Sequence, residues 1–215
     1  MKEEFNRVYQ NQNWFGSREN HLLDRYRALI PDGVTVLDIG VGQGRNALPL
    51  ARRGCAVTGI DTSEVSIRQV NEIARAEDLP LEARLAGFEE FEPEAPFDVV
   101  LCFGLLQMLP PAGAASLVER LRRWTASGGA LFLMAWHVDD PVFFNYCETW
   151  ERTGLRSFRS LDGRQFRTFL GRREVLQFFR GWRVVHHWEG LGSLHRHGEG
   201  PEERHGDVEL VLEKP

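Results

Sequence analysis

Apolar positions fall into a regular succession of two periods along the first two thirds of the chain. Leu22, Leu23, Tyr26, Leu29 and Ile30 recur at helical spacing within Asn20 to Ile30, and Pro31-Asp32-Gly33 stops that run. Val34 to Ile39 (VTVLDI) has the β-branched content of a buried strand. Gly40 to Gly44 is a glycine turn, Asn46 to Arg53 predicts a helix ended by Gly54, and Ala56 to Ile60 a second strand. Ser63 is placed to cap a helix reaching about Asp78, with Val65, Val70, Ile73 and Ala74 inward. A weaker strand is predicted at Leu81 to Leu85 and a fourth, apolar on both faces, at Phe97 to Phe103 (FDVVLCF). A helix over Ala112 to Thr125, with Leu117, Leu121 and Trp124 inward, ends at Ser127-Gly128-Gly129 before a fifth strand, Ala130 to Trp136.

This alternation predicts an α/β fold, a doubly wound parallel sheet with helices on both faces. After Trp136 the rhythm breaks. Asp139 to Thr168 is expected to be loop and short helix, Arg172 to Phe179 a helix, and Trp182 to Trp188 and Val208 to Glu213 two final strands. Joined without a crossover helix, those two pair antiparallel. The expected organisation is one domain: a cap over 1–30, a core over 31–136, and an insert with the last strands over 137–215.

Composition narrows the function classes without naming one. The 215 residues are 42% hydrophobic, 27% charged and 11% aromatic, the profile of a packed globular chain. Lys and Arg number 26 against 31 Asp and Glu, and a formal charge of −5 argues against nucleic acid as partner. Cys55, Cys102 and Cys147 are odd in number and widely spaced, which fits a reducing cytoplasm rather than a disulfide framework. Met1 to Arg7 has no apolar core of a signal peptide, and no apolar stretch approaches the ~20 residues of a membrane span.

The chemistry concentrates where the first strand opens into a helix. Gly40-Val41-Gly42-Gln43-Gly44-Arg45 is G-x-G-x-G; a dinucleotide fingerprint needs glycine at position 45, and no P-loop Gly-Lys-Ser/Thr follows. Asp61, ending VTGID, is placed to accept hydrogen bonds from a ribose diol, with a helix cap as the alternative, and Asp38 to face a cationic ligand group.

The string VLDIGVGQGRN followed by VTGID, then FDVVLCFGLLQML and SGGALFLMAW, resembles the class I S-adenosylmethionine (SAM) methyltransferases over about Leu22 to Trp136. The resemblance implies a Rossmann-like sheet of seven strands, order 3-2-1-4-5-7-6, with strand 7 antiparallel. It implies SAM as cofactor, S-adenosylhomocysteine (SAH) as product, and a small-molecule methyl acceptor. It carries cofactor contacts onto Asp38, Gly40, Gly42, Gly44, Arg45, Asn46, Asp61 and Thr62, and onto Cys102, Phe103 and Gln107; ordinary packing is the alternative for Cys102 and Gln107. Where the family often has an acid after strand 3, this chain has Gly87; the backbone of Gly87 and Phe88, or Glu89, stands in its place.

Further features resemble the tellurite-resistance methyltransferases of the TehB type. These are Gly44-Arg45-Asn46 in GQGRNALPLARRG, RREVLQFFRGW, and Gly192-Ser193-Leu194-His195-Arg196 with Arg204 beyond it. That resemblance covers most of the chain except about Val142 to Phe166. It makes His195, Arg196 and Arg204 the catalytic candidates for a tellurite- or selenite-type oxyanion, with His195 as base or as imidazolium. A solvated hairpin loop is the alternative for these residues. Other functional readings are methylation of a small organic acceptor, whose ring the aromatic insert (Trp150, Phe158, Phe166, Phe169) would enclose, and a SAM-binding sensor without catalysis.

Five histidines lie between positions 186 and 205, yet no HExxH spacing or nearby cysteine accompanies them, so no metal is expected. Arg156, Arg159, Arg164 and Arg167 are expected to solvate the insert, with cover over the site as the alternative. Phe5 to Gly16, with Tyr9, Trp14 and Phe15, is either an aromatic lid over the pocket or an N-terminal helix on the sheet edge. A monomer or homodimer without a membrane partner is expected.

Overall fold

A computed structural model describes residues 2–11, 13–196 and 200–215. In chain order the elements are α1 (Lys2–Val8), α2 (His21–Arg25), β1 (Thr35–Ile39), α3 (Ala47–Arg52), β2 (Ala56–Asp61), α4 (Glu64–Ala76), β3 (Leu81–Leu85) and β4 (Phe97–Phe103). Then come α5 (Pro111–Trp124), β5 (Thr125–Trp136), α6 (Phe143–Thr149), β6 (Glu151–Gly154), β7 (Ser157–Arg159) and β8 (Phe166–Thr168). The last elements are α7 (Glu174–Phe178), β9 (Arg183–Leu191), β10 (His195–Arg196), β11 (Glu202–Glu203) and β12 (Gly206–Glu213).

Seven strands form one sheet in the order β3-β2-β1-β4-β5-β12-β9. The first five are parallel, and β12 runs antiparallel to both β5 and β9. This is the expected order, with β9 and β12 as strands 6 and 7. The double-faced apolar strands explain the layering, because successive side chains alternate between faces. Leu37, Ile39, Val100 and Cys102 join Leu117, Leu121 and Trp124 of α5 in one core layer. Val36, Val99 and Leu101 join Leu22, Leu23, Ala47, Leu50 and Val70 of α2, α3 and α4 in the other. Ser63 caps α4, its hydroxyl accepting from the Ser66 amide; Ile67 replaces the expected Val65 and Ile73 among its fully buried residues.

Several boundaries differ from expectation. The predicted helix over Asn20 to Ile30 breaks at Tyr26 into α2 and a 3-10 turn over Arg27–Leu29. β5 starts at Thr125, so Ser127-Gly128-Gly129 lies within a strand rather than ending a helix. The helix over Arg172 to Phe179 shrinks to α7, because Arg173 adopts φ 55 and cannot continue it.

The larger correction is the insert. Asp139 to Thr168 is not loop and short helix alone. It contains α6 and a separate antiparallel sheet, β6-β7-β8. Its strands are three or four residues long, too short for a visible period of two. What holds them is an aromatic cluster: Phe158 and Phe169 are fully buried, and Phe143 meets them edge-on with centroids at 5.6 and 5.1 Å. Nor does Arg167 solvate this segment. Its guanidinium lies over the rings of Trp136 and Trp150, 5.6 Å from each, and its Nε is buried without a hydrogen-bond partner. Arg156 likewise turns in to an ion pair with Glu174 at 2.6 Å. Arg159 and Arg164 pair at the surface with Glu151 and Asp162.

Phe158→Ala removes one of the two fully buried rings of this cluster. It is expected to cost about 3–5 kcal/mol of folding stability, the usual range for a buried phenylalanine. Urea unfolding of the two proteins checks this; a loss below about 1 kcal/mol would show the insert is not packed as described.

Candidate functional site

β1 and β4 are neighbours, but their chains leave the sheet on opposite sides. β1 feeds α3 on one face and β4 leads to α5 on the other, so a crevice opens at their carboxyl ends. The glycine turn floors it. Gly40, Gly42 and Gly44 all adopt positive φ, at 78°, 51° and 77°. A side chain on Gly40 would meet nothing within 4 Å, so the backbone there faces open space.

Asp38 sits below this turn, 2% exposed, with Oδ2 buried and without a hydrogen-bond partner. Burial raises its pKa to about 7, helped by the charge of Asp61 and opposed by Arg45 and the Ala47 amide. Gln107, in the 3-10 turn after β4, is also buried, and its Oε1 lacks a partner. Two orphaned buried acceptors beside an open glycine backbone fit a ligand carrying donors and positive charge. Asp61 ends β2; its carboxylate accepts from the Gly42 amide at 3.0 Å and the Ser63 amide at 2.8 Å. Burial raises its pKa, while those amides and that of Thr62 pull it down.

The N-terminal segment closes over this turn. Gln43 binds it there: its Nε2 donates to the carbonyls of Tyr9 and Asn11, and its Oε1 accepts from the Trp14 amide. Arg45 donates to the Phe15 carbonyl, and Asn6 accepts from the Ser63 hydroxyl at the start of α4. Tyr9 is buried, and a Cβ on Gly42 would meet its Oη at 3.0 Å. Burial first, then the charges of Asp61 and Asp38, push its phenol pKa upward. Within Phe5 to Gly16, helix α1 runs on to Val8 and the turn after it packs on the glycine turn and the start of α4, which joins features of both expectations. Gln43 gave no signal in sequence, since its work is to hold a segment 29 to 34 residues away.

Other candidates are differently employed. Thr62 is exposed. Asn46 accepts from the Asn20 amide at 2.9 Å, tying α2 to α3. Phe88 and Cys102 lie in the core layer against α5, and burial pushes the Cys102 thiol up to about 12. Their side chains are therefore packing, leaving backbone at Gly87 and Phe88 for any ligand contact. Phe103 is half-buried against the opposite layer, and Glu89 is exposed.

The catalytic candidates lie at the same carboxyl edge, three strands away. β10 and β11 form a hairpin between β9 and β12, pairing His195 with Glu203 and Arg196 with Glu202. Arg196 is half-exposed with Glu202 at 3.8 Å, and Arg204 is exposed. The hairpin is anchored where β12 begins. A Cβ on Gly206 would strike the Asp140 backbone nitrogen at 2.3 Å, so only glycine allows this approach. Buried Asp140 then accepts from the Gly206 amide at 3.0 Å and lies 2.9 Å from His205 Nδ1. His205 stacks on Trp136 at 4.4 Å. Burial works against its protonation, but the Asp140 hydrogen bond and the charges of Asp140, Glu203 and Asp207 hold its pKa above the usual range. Asp207, by burial first, rises to about 6. His186 and His187 are spent on Glu209 and Glu189 in β12 and β9. His197 lies outside the described residues.

The domain profile described as "Methyltransferase domain" matches residues 36–129. The Haemophilus influenzae protein named "Probable S-adenosyl-L-methionine-dependent methyltransferase TehB" is 25% identical over 170 residues, 76% of this chain and 51% of that protein. Ubiquinone biosynthesis O-methyltransferase of Paramagnetospirillum magneticum is 36% identical over 83 residues, 39% of this chain and 33% of that one. This chain thus spans about a third to a half of the length of these relatives. The crystal structure of TehB from Haemophilus influenzae superposes over 100% of this chain and 67% of its own, with TM-score 0.73 and 21% identity. The 1,6-didemethyltoxoflavin-N1-methyltransferase of Burkholderia thailandensis, solved with bound SAH, covers 91% of this chain and 76% of its own at TM-score 0.64 and 17% identity. Sheet order and glycine turn are those of the Rossmann-like fold that these solved methyltransferases share, and residues 36–129 carry the methyltransferase-domain pattern. Among the relatives named, the similarity to TehB spans most of this chain.

Buried Asp38 ionises near pH 4 when unfolded but only near 7 when folded without ligand. The native state therefore holds an extra proton across that interval, and stability falls as pH rises from about 4 to 7. Urea midpoints across this range should fall less steeply for Asp38→Asn than for the parent; parallel curves would refute the burial of an unpaired carboxyl.

Proposed function

We propose that the chain transfers a methyl group from SAM to a small acceptor, with a chalcogen oxyanion such as tellurite or selenite as the acceptor best matched. The observation that carries the first part is the buried, partnerless Asp38 Oδ2 beside the open Gly40 backbone. SAM, when bound, supplies a methyl group activated on a sulfonium. Asp38 and Gln107 offer their orphaned oxygens to its donors and positive charge, and Asp61 offers carboxylate lone pairs to the ribose diol. Tyr9 and the strand of chain pinned by Gln43 keep water from the crevice. In-line methyl transfer needs little else from the protein beyond alignment and desolvation.

The acceptor is assigned to the hairpin side. His195 either removes a proton or holds the anion as imidazolium, and Arg196 and Arg204, on the same hairpin, supply guanidinium donors for an oxyanion. The resemblance of Gly192 to Arg196 to the tellurite-resistance methyltransferases supports this choice, and the similarity to TehB spans 76% of this chain. An organic acceptor is the second reading, favoured by the similarity to an O-methyltransferase. The insert supports it less than its sequence implied. Phe158 and Phe169 are consumed in its own core and present no ring-binding wall.

Purified protein given SAM with tellurite or selenite is expected to release volatile dimethyl telluride or selenide together with SAH, read by headspace mass spectrometry. Turnover of a phenol or thiol without volatile product would move the acceptor to the organic class. SAM binding without any turnover would mark a sensor. Asp61→Ala is expected to weaken SAM binding at least about 10-fold by calorimetry, consistent with loss of charge-assisted hydrogen bonds. His195→Ala and Arg196→Ala should lower turnover and leave SAM affinity within about twofold, because neither is assigned to SAM.

A further inference from the structure

The surroundings of His195 also offer donors to a cation. One imidazole nitrogen each from His195 and His205 and one carboxylate oxygen from Glu203 lie within 4.8 Å of one another. The carboxyl of Asp207 feels the charge of both histidines, and buried Asp140 stands behind His205. Three carboxyl groups therefore converge on two imidazoles, while Arg196 faces Glu202 and Arg204 points to solvent.

We infer that His195, Glu203 and His205 form a binding site for a divalent transition metal of the zinc class. Tautomers support this. His195 Nδ1 lies 3.1 Å from the Ser193 carbonyl and His205 Nδ1 lies 2.9 Å from Asp140 Oδ2. Both oxygens accept, so each Nδ1 keeps its hydrogen, and a bound metal would displace any proton from Nε2, the nitrogen left to coordinate. A buried carboxylate orienting a ligating imidazole from behind is the usual outer support of zinc sites. Two imidazoles and one carboxylate are a borderline donor set, suited to Zn²⁺ rather than to Mg²⁺ or Ca²⁺.

The geometry requires only a small closure. Glu203 Oε1 is 4.0 Å from His205 Nε2. Tetrahedral zinc, with bonds of about 2.0–2.1 Å, brings its ligand atoms to roughly 3.3 Å apart. Side-chain torsions on a two-residue hairpin cover that difference, and the His205 ring is already fixed by Trp136 and Asp140. Three protein ligands leave a fourth position for water or an anionic acceptor. With the ion bound, His195 is a ligand rather than a base or an imidazolium, so the metal takes over its part in holding an anionic acceptor.

The test is metal content and affinity, independent of methyl transfer. Protein stripped with a chelator is titrated with Zn²⁺ by calorimetry, and Co²⁺ replacement is followed by visible ligand-field absorption. One ion per chain is expected, with Glu203→Gln and His205→Ala each lowering affinity at least about 100-fold. Asp140→Asn should lower it about 10–100-fold, the range for an outer-shell partner. His187→Ala, paired with Glu189 away from the cluster, should leave it unchanged. Glu203→Gln is isosteric on a surface hairpin, and an unchanged far-UV circular dichroism melt verifies its fold. No binding by the parent protein, or equal affinity in Glu203→Gln and the parent, would overturn the site.

Discussion

The divergence of two adjacent parallel strands organises this protein. β1 and β4 hydrogen-bond side by side, yet the chain turns to opposite layers after each, so no connection crosses their carboxyl ends. The gap is a consequence of doubly wound topology and exists before any side chain is chosen. Gly40, at positive φ, lets the backbone turn at the mouth of that gap without filling it. Asp38, one pleat below on the α3 side, supplies a carboxyl whose burial is costly without a partner. The crevice thus keeps an unmet electrostatic demand that a cationic ligand meets.

Around this crevice the chain adds two parts of different construction. The N-terminal segment is bound by polar links to Gln43, Arg45 and Ser63 and by Tyr9 over Gly42. The hairpin side is built differently. Gly206 is pressed against the backbone of Asp140, and Trp136 and Asp140 fix the His205 ring from two directions. One part rests on side-chain hydrogen bonds to a turn, the other on close backbone packing and a stacked ring.

The insert illustrates how aromatic residues are misjudged from sequence. Phe158, Phe169 and Arg167 read as wall and surface, and are in fact interior structure. A fourteen-phenylalanine chain has enough rings to build a satellite core, and short strands need one. The apolar surface lies inside the insert rather than facing a guest.

Much was legible from the residues alone. The five parallel strands, the caps and the antiparallel end of the sheet follow from period, turn residues and helical spacing, because those are local steric and solvation effects. The glycine turn after β1 and the place of Asp61 at the end of β2 were legible for the same reason. What only the tertiary structure decided depends on groups far apart in sequence. Gln43 holds Tyr9 and Trp14, Asp140 orients His205 across 65 residues, and the hairpin register sets Glu203 against His195. No local pattern encodes such meetings, since each is fixed by where two strands happen to end on the sheet. The sequence showed histidines without a recognisable ligand spacing; folding decided which of them meet a carboxylate.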